Sequence, residues 1–196
     1  MKEFKSERRL QKIVSVVKSR QFTLRVVLEN IHDPHNVSAI FRTCDAVGVP
    51  KVTLIYNLEK FPKIGKKSSA SAFKWVEKEK FRSVSECYES LRKEGFIIYA
   101  SSISDDSIDF YKLDFKKKIA IVLGNEHRGV SDEAAELADK NFKIPMYGMV
   151  QSLNVSVATA IILYEGLRQR MKKGYYEKSE LSDTVLDEMI EKWSRK

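Results

Sequence analysis

Three polar stretches hold the side chains that could do chemistry. The first runs Glu29-Asn30-Ile31-His32-Asp33-Pro34-His35-Asn36 and continues to Arg42. A guanidinium six residues beyond a candidate helix cap at Asn36 lies close to two turns along that helix. Arg42 can then reach the ends of neighbouring strands only if the helix packs end-on to them. The plainer alternative pairs Arg42 with Asp45 on a solvated helix face.

The second stretch is Leu123-Gly124-Asn125-Glu126-His127-Arg128-Gly129. Its glycines allow close backbone approach to a ligand, and a helix N-terminus follows at Ser131. It lacks the Gly-Lys-Ser/Thr of a phosphate-binding loop and the G-x-G-x-x-G of a dinucleotide fold. An ordinary strand-to-helix turn could carry the same residues. The third stretch, Ile144-Pro145-Met146-Tyr147-Gly148-Met149-Val150-Gln151-Ser152-Leu153-Asn154, mixes apolar and small residues that suit an adenine-sized planar group. Ser152 or Asn154 could equally be plain helix caps. His32 and His35 flank an Asp-Pro turn with no cysteine nearby, so no metal site is expected. Cys44 falls on an apolar helix face, which argues for a structural thiol rather than a nucleophile.

These stretches must be positioned by the elements between them. Helical spacing of Leu10, Ile13, Val14 and Val17 predicts an N-terminal amphipathic helix over 5–18. Strands are expected at 23–29, 51–56, 96–101, 119–124 and 141–146, and a short one near Trp75. Helices are expected from Asn36 to Val47 with Gly48 as the stop, and over 83–95, 131–139, 155–171 and 183–194. Strand and helix alternate through the middle of the chain. The expected fold is therefore α/β, with a mostly parallel sheet covered by helices on both faces. Ligand sites in such sheets gather at the carboxyl ends of strands, where all three stretches fall.

The chain has 196 residues, 43% of them hydrophobic, which supports one domain with a sizeable core. The expected organisation is a basic helical extension over 1–22, a main domain over 23–172 and a helical extension over 173–196. No apolar run is long enough for a membrane span, and the charged N-terminus lacks a signal-like apolar segment. Two cysteines exclude a disulfide framework and suggest a reducing cytoplasm. The net charge is +8, but its distribution is uneven. Residues 1–22 carry +5 and residues 60–82 carry +6, so the excess lies in a terminal arm and one central segment. Such a field attracts a polyanion, and Arg8, Arg9, Lys12, Arg20, Lys63, Lys66, Lys67 and Arg128 are candidate nucleic-acid contacts.

Taken in this order, the stretches resemble the motifs of the SpoU/TrmH family of RNA ribose 2′-O-methyltransferases in the SPOUT class. NVSAIFRTCDAVGV resembles its first motif, IVLGNEHRGVSDE its second and IPMYGMVQSLNVSVATAIILYE its third. The likeness covers about residues 23–170, and the flanking segments are similar to the members that modify guanosine 18 of tRNA. It implies a deep trefoil knot towards the C-terminus, a homodimer with the active site at the subunit interface, and S-adenosyl-L-methionine as methyl donor. It also implies site roles. Arg42 becomes the central catalytic residue, best read as holding phosphate and ribose because a guanidinium is a poor base. Asn36 would orient Arg42 or the ribose, and Glu126 would fix the cofactor loop, counting among the cofactor-binding residues, or else the partner subunit's first motif. Ser152 and Asn154 would shape the pocket, and Leu123, Gly124, Asn125, Ile144, Met149 and Leu153 would hold the cofactor.

Overall fold

A computed structural model describes residues 7–64, 72–104 and 106–196. Seven strands form one all-parallel sheet: β1 (Leu24–Glu29), β2 (Lys51–Ile55), β3 (Glu77–Phe81), β4 (Ile97–Ser101), β5 (Ile108–Asp109), β6 (Ile119–Leu123) and β7 (Lys140–Lys143). Their order across the sheet is β3-β2-β1-β6-β4-β7-β5. The helices are α1 (Glu7–Lys18), α2 (Pro34–Ala46), α3 (Ala72–Trp75), α4 (Val84–Lys93), α5 (Asp132–Glu136), α6 (Val155–Met171) and α7 (Asp183–Ser194).

The alternation of strand side chains sorts the core into two layers. Val26 and Leu28 of β1 and Ile121 and Leu123 of β6 face a cluster with Ile40, Phe41 and Cys44 of α2 and Ile162 and Leu163 of α6. Val27, Ala120 and Val122 face the other way, onto Cys87, Tyr88 and Leu91 of α4. Central strands buried on both faces are the reason β1 and β6 read as nearly unbroken apolar runs. A third, smaller cluster joins the two ends of the chain, with Ile13 and Val17 of α1 against Leu186 and Trp193 of α7.

Several expected boundaries move. The first motif's helix is capped by Asp33, not Asn36: the Asp33 carboxylate accepts from His35 N at 2.7 Å and Pro34 opens the helix. Proline suits that place because its fixed φ is helical and its missing N–H would have no partner there. Asn36 thereby shifts into the first turn, where its side chain is free for other work. The expected short strand around Trp75 is a helical turn followed by β3, and α5 stops at Glu136 rather than Asp139. The two-residue strand β5 and the 3-10 turn at Phe110–Lys112 give no periodic signal and are missed. Gly48 does end the α2 region, at φ 84°.

Arg20 departs furthest from expectation. It is fully buried, ion-paired with Asp45, donating to Val49 O at 3.1 Å and lying 5.0 Å from the Trp193 ring. A guanidinium so enclosed cannot lie on a nucleic-acid surface, and Arg20 leaves that set. Because Asp45 is taken by Arg20, the surface pair of Arg42 with Asp45 does not form either.

Candidate active site

The three polar stretches converge at the carboxyl ends of β1 and β6 and the start of α6. Glu126 is the hub. One carboxylate oxygen accepts from His32 N at 3.0 Å; the other accepts from Asp33 N at 3.1 Å and Asn36 Nδ2 at 2.9 Å. Partial burial pushes this carboxyl up, but the hydrogen bonds from Asn36, His32 and Asp33 outweigh it and hold Glu126 below the usual carboxylate range. A charged acceptor is thus fixed against the N-terminal turn of α2, where the helix dipole also favours it.

Asn36 continues the chain of contacts. Its Oδ1 accepts from Asn154 Nδ2 at 3.0 Å, so one side chain joins the second and third motifs. Asn154 is also the cap of α6, its Oδ1 accepting from Ser156 N at 2.9 Å. Cap and site residue are therefore one role, because an asparagine has both an acceptor and a donor to give. Ser152 is exposed and makes no hydrogen bond among the described residues. Arg42, on an outer face of α2, is exposed and free of hydrogen bonds and ion pairs among the described residues.

The second loop is held closed from within. Asn125 Nδ2 donates to Asn30 O at 2.7 Å, and its Oδ1 accepts from His127 N and Arg128 N. The Asn125 side chain is committed to the loop and leaves only its backbone for a ligand. Gly124 is required by packing, since a Cβ there would sit 2.0 Å from the Gly129 and Val130 backbone. Leu123 is buried, while Ile144 and Leu153 are half-buried and Met149 stands almost fully exposed beside Tyr147. Arg128 pairs with Glu59 at 2.9 Å.

Two residues of the first stretch, Asn30 and Glu29, take roles that the sequence did not assign them. Asn30 adopts the left-handed conformation at φ 51°, and its Oδ1 accepts from the backbone N–H of Asn57, Leu58 and Glu59. Glu29, buried at the end of β1, accepts from Ser131 N at 2.9 Å. The signal available was an asparagine just past a strand, the residue other than glycine that best tolerates positive φ. Among the described residues no cluster of histidine, cysteine and carboxylate side chains could hold a metal. Burial pushes the Cys87 thiol up to about 12 and Cys44 higher still, which keeps both inert as structural thiols.

The sequence model of the SpoU rRNA Methylase family matches residues 23–164, the span that holds all three motifs. The chain belongs to the SpoU methylase family. It is 43% identical over 192 residues to the tRNA (guanosine(18)-2′-O)-methyltransferase of Thermus thermophilus, covering 98% of each chain. The crystal structure of the Aquifex aeolicus TrmH/SpoU tRNA modifying enzyme superposes with a TM-score of 0.90 at 43% identity, covering 96% of both chains. The SpoU methyltransferase AviRb from Streptomyces viridochromogenes, solved in complex with AdoMet, superposes at TM-score 0.68 and 25% identity over 79% of this chain and 62% of its own. This SpoU methylase shares the overall fold of these solved relatives, and at its strand ends Asn36 is hydrogen-bonded to both Glu126 and Asn154.

Proposed function

We infer that the protein transfers a methyl group from S-adenosyl-L-methionine to the 2′-hydroxyl of guanosine 18 in tRNA. The observation that carries this reading is the Asn154–Asn36–Glu126 hydrogen-bonded chain, with Arg42 two turns along the same helix, exposed and unpaired among the described residues. The near-full-length likeness to tRNA guanosine-18 enzymes supports the choice of substrate.

The residues around the third motif fit the donor. Ile144 and Leu153 give a half-buried apolar wall, and Tyr147, Met149 and Val150 stand exposed, an apolar loop with room for a heterocycle. Backbone groups of Leu123, Gly124, Ile144, Met149 and Leu153 would hold it, with Ser152 at the rim. When bound, it supplies an electrophilic methyl. The chain's own task is alignment, since displacement at a methyl needs the acceptor oxygen held in line. Arg42, always charged, holds a substrate phosphate and ribose rather than taking the proton. Asn36 keeps its place through Glu126 and Asn154 and presents the first turn of α2 to the sugar. The hydroxyl proton passes to the phosphate or to water.

The active enzyme is a homodimer in this proposal, supported by Val157, Ile161 and Tyr164, which leave an apolar stripe exposed on α6. Arg8, Arg9, Lys12 and Arg128 would contact RNA, as would Lys63; Lys66 and Lys67 lie outside the described residues. The trefoil knot stands in the same proposal on the family likeness. Cytoplasmic location follows from a tRNA substrate; among the described residues no helix is long and apolar enough to cross a membrane. The deciding experiment is methyl transfer to unmodified tRNA followed by nuclease mapping. A 2′-O-methyl group at guanosine 18 is the expected result, and methylation elsewhere or of ribosomal RNA alone would overturn the reading.

A further inference from the structure

The two cation-rich segments, 1–22 and 60–82, lie far apart in sequence, but their described parts at α1 and α3 meet in the fold. Trp75 packs against the cluster that Ile13 and Val17 of α1 form with α7, and lies 4.8 Å from the Trp193 ring. Two residues earlier, Phe73 stacks at 4.2 Å on Phe41, the residue before Arg42. Residues 73–75 thus link the basic arm to the helix that carries the arginine of the first motif.

Within that span, β3 sorts its charges. Its sequence, Glu77-Lys78-Glu79-Lys80-Phe81, is neutral by count, but alternate residues face opposite sides of the sheet. On one side both acids are occupied: Glu77 by Lys192 at 3.2 Å, Glu79 by Arg25 at 3.1 Å and Lys51 at 3.7 Å. On the other side Lys78 and Lys80 are exposed and have no carboxylate partner among the described residues. Their ammonium groups sit 5.1 Å from the Phe73 ring and 5.2 Å from the Phe61 ring, which holds both on the α2 face. The outcome is two cations without carboxylate partners among the described residues, rooted on backbone positions about 6.6–6.8 Å apart along the strand, of the order of the step between neighbouring phosphates.

We propose that Lys78 and Lys80 bind consecutive phosphates of the RNA substrate, as the middle of a track that runs from Arg8, Arg9 and Lys12 on α1 to Arg42. The proposal rests on the tRNA reading above. A track that ends on a ribose-positioning arginine favours a polynucleotide over a flat anionic surface.

The test is the double variant Lys78→Gln/Lys80→Gln, with Lys78→Arg/Lys80→Arg as the charge-keeping control. Equilibrium binding of unmodified tRNA is titrated over a salt series, alongside S-adenosylmethionine binding and a thermal melt. Two lost phosphate contacts should lower the salt slope by about 1.4 to 1.8 and, relative to 1 M salt, weaken tRNA binding roughly 15- to 30-fold near 0.15 M. KM for tRNA should rise in step, while kcat, cofactor affinity and melting temperature hold and the arginine variant restores binding. Unchanged tRNA affinity and slope would leave these lysines as guards of an exposed edge strand and sink the proposal. Loss of binding to phosphatidylserine vesicles with intact tRNA affinity would overturn it in favour of a membrane surface. Wild-type activity is read separately: a wild type that leaves tRNA unmethylated defeats the functional reading itself, whereas an active wild type with unaffected variants defeats only the track.

Discussion

Removing the Glu126 carboxylate should loosen the whole site. In Glu126→Ala, His32 N, Asp33 N and Asn36 Nδ2 all lose their acceptor. Hydrogen bonds to a charged group are worth about 1.5–3 kcal/mol each when buried. The His32 bond is exposed and the other two are part-buried, so water recovers much of the loss. A net cost of about 2–4 kcal/mol is expected, which for a chain of this size lowers Tm by roughly 5–15 °C. Methyl transfer should fall by at least about tenfold, since Asn36 then keeps only its Asn154 contact. The pH dependence has a definite sign. Glu126 is held below its ordinary value, so its contribution is fully present at neutral pH and is lost as pH falls through the lowered pKa. The Tm gap between wild type and Glu126→Gln should therefore close below about pH 4, where the ordinary carboxylate also begins to protonate. Differential scanning calorimetry over that range, with hydrogen exchange at residues 31–36, reads both effects. A Tm within about 1 °C of wild type and unchanged exchange at 31–36 would refute the hub.

Arg42→Ala should remove transfer while leaving Tm within about 1 °C, because the side chain has no partner to lose among the described residues. Mixed with Leu153→Glu, it should regain roughly a quarter of wild-type activity, since half of randomly mixed dimers carry one intact site; no recovery would argue against a shared site. Arg20→Ala should behave in the opposite way, with about 3 kcal/mol or more of lost stability, read by urea unfolding, because Asp45 and the Trp193 face lose a buried partner. If instead it weakened tRNA binding with no change in stability, the burial of Arg20 would be the wrong account.

Some of this molecule is settled by local sequence. Apolar runs at 24–28 and 119–123 with β-branched residues commit those segments to buried parallel strands, and the three motifs between strand ends mark the site. Gly48 ends its helix because positive φ is nearly free only for glycine. Other features exist only once distant segments meet. Arg20 reads as one more basic residue of a charged arm, and only the packing of α7 against α1 encloses it with Asp45 and Trp193. Asn36 reads as a helix cap, and only Glu126 and Asn154, 90 and 118 residues away, give it a different task. Lys78 and Lys80 alternate with Glu77 and Glu79 in the sequence, and only the sheet turns those glutamates towards Lys192 and Arg25. The division has one physical cause: backbone propensity and hydrophobic period act over a few residues, whereas desolvation and charge pairing depend on which surfaces the fold brings together.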